Sequence, residues 1–387
     1  MSKVYKAAIV GCGAIGHAHM DGYNLLDNVD VIAVVDPYEQ ARQTYIGQYD
    51  IPKGYATIEE MLENESPDIV SVCVWHLLHP AMTIAAAEAG VGGVICEKPM
   101  AIGKGAADNM VDACEKSGTK LVISHQRRFT PGWGHARALI EEGAIGQPMF
   151  AKNRVREGLA NWGTHSIDGT RFALGDPMPE WVMGGVERKT DRYERDTAIE
   201  DACFGLVHFG SGAQLLIESD LEPEGAGAGY YQIQGTEGML DVKETGLRLF
   251  NASSNGWQDV DLNLSEGQIA IGGETNAAQV KELIAWMEGG SEHRGSGRQA
   301  RVTVEIMMAI YESARRHSRV TFPLEEKAYP LDKMLEEGML PVEVEGRYDI
   351  RGFLNRKGID EEKFAELSAQ GKSHHAIMRE LDADRNV

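Results

Sequence analysis

The sequence predicts an α/β domain with a parallel sheet, then an α+β domain with a large, mostly antiparallel sheet, and a helical C-terminal tail. Three observations carry this prediction. Short apolar runs alternate with helical segments over the first third of the chain, as they do where a sheet is covered on both faces. A glycine-rich turn joins the first run to the first helix. Beyond Pro131-Gly132 the pattern changes to strand-like runs separated by glycine-containing turns. The boundaries read as 1–130, 131–330 and 331–387.

The first strand, Lys6 to Val10, breaks directly into Gly11-Cys12-Gly13-Ala14-Ile15-Gly16, and a second apolar run ends at Asp36. Each part of this pattern has a mechanical reason. Gly11 permits the tight strand-to-helix turn, Gly13 lets a pyrophosphate approach bare backbone, and Gly16 lets the helix pack close to the strand. Ala14 and Ile15 open the helix, whose positive N-terminus faces the phosphates. Asp36 accepts from ribose hydroxyls and repels a 2′-phosphate, so the expected cofactor is NAD rather than NADP. Pro37 and Tyr38 supply no cation for that phosphate, although Arg42 lies one helical turn further on. Asp36 also suits a helix N-cap. Together these features describe a Rossmann domain.

Alternation continues with a helix near Tyr38 to Tyr49, a strand Ile69 to Val74, a helix Pro80 to Ala89 and a strand Gly93 to Cys96. A helix Ala106 to Ser117 and a strand Leu121 to Ser124 complete the first domain. A helix from about Trp133 to Glu142 then leads through Gly143-Ala144-Ile145-Gly146 into strands at Phe150 to Arg156, Cys203 to Phe209, Ala213 to Glu218 and Tyr230 to Gln234. Gly210-Ser211-Gly212 and Thr236-Glu237-Gly238 mark antiparallel turns. Helices follow at Glu274 to Met287 and Arg301 to Arg316. Such a sheet carries helices on one face and offers the other to a second copy, so a homodimer or homotetramer is expected.

With 38 basic against 59 acidic residues, the formal charge of −21 disfavours nucleic acid and anionic membrane as partners. The five cysteines form no CxxC pair and are expected reduced. No charged-then-apolar leader precedes the first strand and no apolar stretch approaches membrane-spanning length, which reads as a cytoplasmic protein. In the tail, Glu366 to Leu381 superficially resembles a helix-turn-helix with Gly371 at the turn, but the acidic balance favours an oligomer clasp or a surface strap. His374 and His375 point about 100° apart on a helix and are poorly placed to chelate, so no metal is expected.

Further motifs follow in order: Glu97-Lys98-Pro99 at a strand end, His125 to Phe129 (HQRRF), Glu141 to Pro148 (EEGAIGQP), Asn161 to Asp168 (NWGTHSID), and Glu200-Asp201. With the glycine turn, this set resembles the Gfo/Idh/MocA family of sugar and polyol oxidoreductases over roughly Lys6 to Phe322. The resemblance implies hydride transfer between a nicotinamide and a carbinol carbon, with Lys98 touching the reacting oxygen and His165 exchanging the hydroxyl proton. Where the family usually has aspartate, this chain has Asn161, expected to orient His165 by a hydrogen bond alone. Trp75 and His76 replace a family Thr-Pro pair beside the nicotinamide ribose, His79 matches a family histidine, and Glu97 lies beside the cofactor. Trp162, Thr164 and Arg128 are expected near the substrate. Arg154 and Arg156 share a strand face and suit either an anionic substrate or a subunit interface. The expected activity is that of an NAD-dependent dehydrogenase or reductase acting on a secondary alcohol or ketone of a sugar, sugar derivative or cyclitol. Its rivals are a non-catalytic dinucleotide sensor and a lyase or epimerase with tightly bound NAD.

Overall fold

The protein was analysed as a computed structural model that describes residues 3–221, 230–264 and 271–385. The chain begins with β1 (Tyr5–Val10), α1 (Ala14–Tyr23), β2 (Val29–Val35) and α2 (Glu39–Tyr49). It continues with β3 (Lys53–Tyr55), α3 (Ile58–Asn64), β4 (Ile69–Val72), α4 (His79–Glu88), β5 (Gly93–Cys96), α5 (Lys104–Ser117) and β6 (Lys120–Ile123). The strands pair in parallel in the order β3-β2-β1-β4-β5-β6, the Rossmann arrangement that the sequence predicts. The reversal of strand order at β1 and β4 opens a crevice at their C-terminal ends, where the Gly11 turn sits. Of these elements, β3 and α3 are additions to the sequence reading. A three-residue edge strand carries too little pattern to be seen, whereas α3 announces itself by Thr57, whose hydroxyl accepts from Glu60 N.

A second group follows: α6 (Pro131–Glu141), β7 (Pro148–Val155), α7 (Thr164–Ala173), β8 (Pro179–Glu187), β9 (Thr190–Glu194), β10 (Thr197–Ala198), β11 (Ala202–Phe209) and β12 (Gln214–Ser219). It continues with β13 (Tyr230–Gly235), β14 (Gly238–Lys243), β15 (Gly246–Asn251), β16 (Gln258–Asp259), α8 (Gly273–Met287), α9 (Gly297–Arg316) and β17 (Val320–Thr321). Among the described residues, nine of these strands form one sheet in the order β16-β15-β14-β13-β7-β12-β11-β8-β17. All pairs are antiparallel except β7 with β12. Helix α9 lies on the inner face, with Ile310 pressed against Gly184 and Gly205; a β-carbon at Gly205 would come within 2.5 Å of it. Helix α8 returns to the first sheet, where Ala277, Val280 and Leu283 share a core with Tyr5, Ile9 and Ile95. Helix α8 thus packs on the first sheet although it follows the second sheet in the chain.

The tail forms α10 (Pro330–Glu336), β18 (Val344–Asp349), α11 (Glu361–Ala369) and α12 (His374–Arg385). Strand β18 pairs with β9, so the tail straps the β9–β10 turn of its own chain. Phe353, Phe364, Leu367, Ile377, Met378 and Leu381 give the tail a small core of its own. The five cysteines are buried and unpaired, and no helix among the described residues is long and apolar enough to cross a membrane.

Candidate active site

The glycine turn divides its work as its packing dictates. Gly11 has φ of 103°, and a β-carbon there would lie 2.5 Å from Cys73 O. A β-carbon at Gly16 would lie 2.6 Å from Gly11 O and from Tyr45 Oη. At Gly13 such an atom would meet nothing within 4 Å. Packing thus requires the outer two glycines, and the middle one fronts open space. Gly13 caps α1 with no side-chain hydrogen bond, so the first amides of the helix are free to meet a pyrophosphate, with Ala14 and Ile15 beside them. These residues fit NAD. Asp36 receives Cys12 N on Oδ2 and Tyr38 N on Oδ1, both at 2.9 Å, which fixes the carboxylate at the adenosine end with lone pairs to spare. Burial raises its pKa, and the two amides oppose that shift. Arg42 Nη1 donates to the backbone oxygen of Asp36 at 2.6 Å.

At the other end of the crevice, β5 delivers Glu97 and Lys98. Glu97 Oε1 lies 3.0 Å from His19 Nε2, and its Oε2 accepts from Lys98 N at 3.2 Å. Burial alone would raise the Glu97 pKa, but His19 and Lys98 hold it below the ordinary value. Lys98 Nζ donates to Asn161 Oδ1 at 3.3 Å and Asn161 O at 3.4 Å, and sits 5.7 Å above the Trp162 ring. Burial, then the Arg195 guanidinium, bring the Lys98 pKa down to about 8, while Glu97 and Glu194 oppose them. Such a lysine exchanges a proton readily near neutrality.

Trp75 is half-buried at the end of β4, and its neighbours brace the wall of the site. His76 Nε2 meets Thr197 Oγ1 at 2.6 Å, while His79 bridges Pro99 O at 2.8 Å and Val74 O at 3.0 Å. Both rings are buried, and both nitrogens of His79 face backbone oxygens, one of them as donor, which corrects the expectation that His79 touches cofactor. His76 likewise holds the β9–β10 turn from the interior.

His165 follows a turn at 159–163 with π-helical hydrogen bonding, a geometry common at functional sites. Acidic side chains pin this turn: Asp220 accepts from Glu157 N and Gly158 N at 3.0 Å each, and Glu200 from Leu159 N at 2.6 Å. The His165 ring stands near those of His125 and Trp162, at 6.1 and 5.7 Å between centroids. Burial, then Lys98, Arg127 and His125, hold its pKa well below the usual histidine value, so the ring is neutral. Its Nδ1 has no hydrogen-bond partner among the described residues.

Several expected roles change. Asn161 addresses Lys98 rather than His165, because its oxygen is taken by Lys98 and its nitrogen donates to Glu157 Oε2 at 3.3 Å. Thr164 is buried, with its hydroxyl on His125 Nε2 at 3.0 Å. Arg128 is fully buried, and its five N–H donors are spent on Asp168, Asp176 and Arg294 O, so none remains for a ligand. Arg154 lies on the outer sheet face and pairs with Glu218 at 3.2 Å, while the alternate residue Asn153 faces α7 through Ser166 O. Arg156 is exposed beyond the end of β7. Strand parity thus sends the arginine pair away from Lys98. Trp162 is 39% exposed, with Lys98 above its ring and the His165 ring beside it.

Sequence reading missed His125, Glu157, Glu194, Arg195 and Arg351. Glu157 Oε2 also accepts from Trp162 Nε1 at 3.1 Å and Arg351 Nη2 at 2.5 Å. Glu194 and Arg195 form an ion pair in the β9–β10 turn, and Asp349 accepts from Arg195 N at 3.0 Å and Asp196 N at 2.8 Å. His125 lies within the quoted HQRRF motif and was legible; Arg351 carried no local signal.

Comparison with known proteins shows the family. A family model described as an oxidoreductase family with an NAD-binding Rossmann fold matches residues 5–125, and the C-terminal alpha/beta domain of the same family matches 137–322. D-apiose dehydrogenase from Paraburkholderia graminis is 24% identical over 81% of this chain and 88% of that protein. Myo-inositol 2-dehydrogenase from Thermotoga maritima is 24% identical over 62% of this chain and 76% of that protein. A structure of levoglucosan dehydrogenase with NADH and levoglucosan shares the fold, with a TM-score of 0.73 at 22% identity over 83% of this chain and all of the other (100%).

Proposed function

This chain belongs to the Gfo/Idh/MocA family of NAD-binding oxidoreductases, and from that premise we propose that it oxidises a secondary alcohol of a sugar, sugar derivative or cyclitol, or reduces the matching ketone. The carrying observation is the half-buried Lys98 ammonium, held by Asn161 and faced by Trp162 and His165 at the C-terminal edge of β5. The relatives named for apiose and inositol dehydrogenation support the substrate class.

NAD, held by the Gly11 to Gly16 cradle and Asp36, supplies the hydride acceptor or donor. Lys98 donates to the reacting oxygen and stabilises its developing negative charge. Its pKa, lowered to about 8, also lets it take up the hydroxyl proton during oxidation and return it during reduction. The neutral His165 hydrogen-bonds the same hydroxyl and sets its orientation. Trp162 offers an apolar face to the sugar ring while its N–H is held by Glu157.

The tail favours a second reading. Arg356 acts electrostatically on Asp36 and Cys12, and Arg351 on Lys98, so the tail borders both ends of the crevice. That placement supports retention of NAD between turnovers, as a lyase or epimerase requires. A scan of NAD reduction across monosaccharides, uronates, inositols and glycosides, with Lys98→Met as control, tests the first reading. Cofactor that stays bound through gel filtration, with turnover but no net NADH, favours the second. We further propose that the protein works in the cytoplasm as a homodimer or homotetramer, its outer sheet face buried by a second copy.

A further inference from the structure

We propose that Glu157 is a positioning residue for Lys98: it fixes the orientation of the Asn161 amide, and Arg351 of the C-terminal segment holds Glu157 in place. The inference rests on the reading of Lys98 as the catalytic lysine. An asparagine amide has a donor end and an acceptor end, and here its two neighbours leave one choice. An ionised carboxylate only accepts and an ammonium only donates. With Glu157 Oε2 at 3.3 Å from Nδ2 and Lys98 Nζ at 3.3 Å from Oδ1, the amide oxygen must face the lysine. Turned over, the amide would set its N–H groups against the ammonium and its oxygen against the carboxylate.

Glu157 itself is held from three sides. Its backbone has φ of 60° and its N–H is anchored on Asp220, so the side chain swings back over the turn it precedes. Trp162 Nε1 and Arg351 Nη2 converge on the same oxygen that takes the Asn161 amide. Arg351 lies past residue 322, where the family match ends, and reaches the site because β18 pairs with β9 and Asp349 grips the β9–β10 turn. Glu157, four residues before Asn161, thus sets a carboxylate against the Asn161 amide, with a tail arginine to hold it.

Other charged groups face Lys98: Glu97 from β5, Glu194 and Arg195 from the β9–β10 turn, and Arg351 from the tail. The rings of His76, His125 and His165 also bear on it. Of these groups only Arg351 touches Glu157, so a change at position 157 reaches Lys98 through the Asn161 amide and through Arg351, the two contacts that Glu157 Oε2 makes toward the lysine.

The test is an NMR titration of the full-length protein labelled at the lysine ε-carbon, without substrate, with the Lys98 resonance assigned through Lys98→Met. Glu157→Gln is expected to lower the Lys98 pKa by about one unit, because the amide is freed and Arg351 is left uncompensated. Adding Asn161→Asp to that variant is expected to return the pKa to the wild-type value or above, and to recover kcat with whichever sugar the wild-type enzyme oxidises. Should Glu157→Gln not fold, Glu157→Asp withdraws the carboxylate and is expected to shift Lys98 the same way. A folded Glu157 variant with an unmoved Lys98 pKa, or no recovery by Asn161→Asp, overturns the inference. Because the titration needs no turnover, a Lys98 shift in a protein that oxidises no sugar sustains the link and removes only the dehydrogenase reading.

Discussion

Lys98 Nζ lies 3.3 Å from Asn161 Oδ1, whereas His165, four residues beyond Asn161, makes no hydrogen bond to it among the described residues. The asparagine therefore serves the lysine. A neutral amide stabilises an ammonium less than a carboxylate would, which agrees with a Lys98 pKa brought down to about 8 by burial and Arg195. Burial, then Lys98, Arg127 and His125, hold the His165 pKa well below the usual histidine value, and among the described residues no carboxylate opposes them.

The pH dependence of the reaction follows. Alcohol oxidation needs neutral Lys98 to accept the proton, so kcat/KM in that direction is expected to rise with pH through about 8 and to show no inflection at the ordinary histidine value. Lys98→Met should abolish the limb and cost about 10²–10⁴-fold in rate. His165→Asn should cost less and leave the limb in place. A limb that vanishes with His165 instead would return the proton exchange to the histidine.

The two glycines that flank Ala14-Ile15 are expected to separate folding from binding. Gly16→Ala drives a β-carbon into Gly11 O and should destabilise the protein by about 1–3 kcal/mol, read as a lower Tm. Gly13 has φ of −98°, which alanine adopts without strain, and open space beside it. Gly13→Ala should therefore keep its Tm and weaken NAD at least about tenfold by calorimetry, since the methyl group takes the pyrophosphate's place. Equal NAD affinity in the Gly13 variant would remove the cradle assignment.

The Rossmann strands were legible because β1, β4, β5 and β6 are largely buried and read as short, mostly apolar runs. Strands β8 and β9 were not, since one or both faces are open and residues such as Asp191 and Arg192 interrupt any alternation. Lys98 and His165 could be found from ordered motifs, each being fixed to its own strand or helix. Glu157 acts through a left-handed turn and Arg351 through a strand pairing nearly two hundred residues away in sequence, and neither relationship leaves a local pattern. Arg154 illustrates the reverse failure: period-two spacing was right, but the sequence does not say which strand face meets the helices.

That outer face carries the assembly prediction. Phe204, Leu206, Met183 and Leu216 share it by register, with Phe204 43% and Met183 50% exposed, and Arg154 and Glu218 alongside. A sheet face that exposes large apolar side chains is suited to burial by a second copy. Analytical ultracentrifugation at micromolar concentration is expected to give a dimer or tetramer, and Phe204→Glu to shift it toward monomer. A wild-type monomer under those conditions contradicts the proposal.

The buried ion cluster around Asp168 of α7 is expected to set the acid limit of the fold. Burial would raise the Asp168 pKa, but Arg128, with two hydrogen bonds at 2.7 and 2.8 Å, and His125 hold it down to about 2. A carboxyl depressed in the folded state contributes stability that is fully present above its unfolded value near 3.9 and is lost as pH falls through about 2. Asp168→Asn keeps the shape but leaves Asp176 as the one carboxylate that Arg128 is seen to pair with, and breaking a buried pair in this way costs about 3–5 kcal/mol. The variant should therefore unfold at lower denaturant at neutral pH, and its stability should vary less than the wild type's between pH 4 and pH 2. A parallel pH dependence in both proteins would mean that another carboxylate, and not Asp168, carries the acid transition.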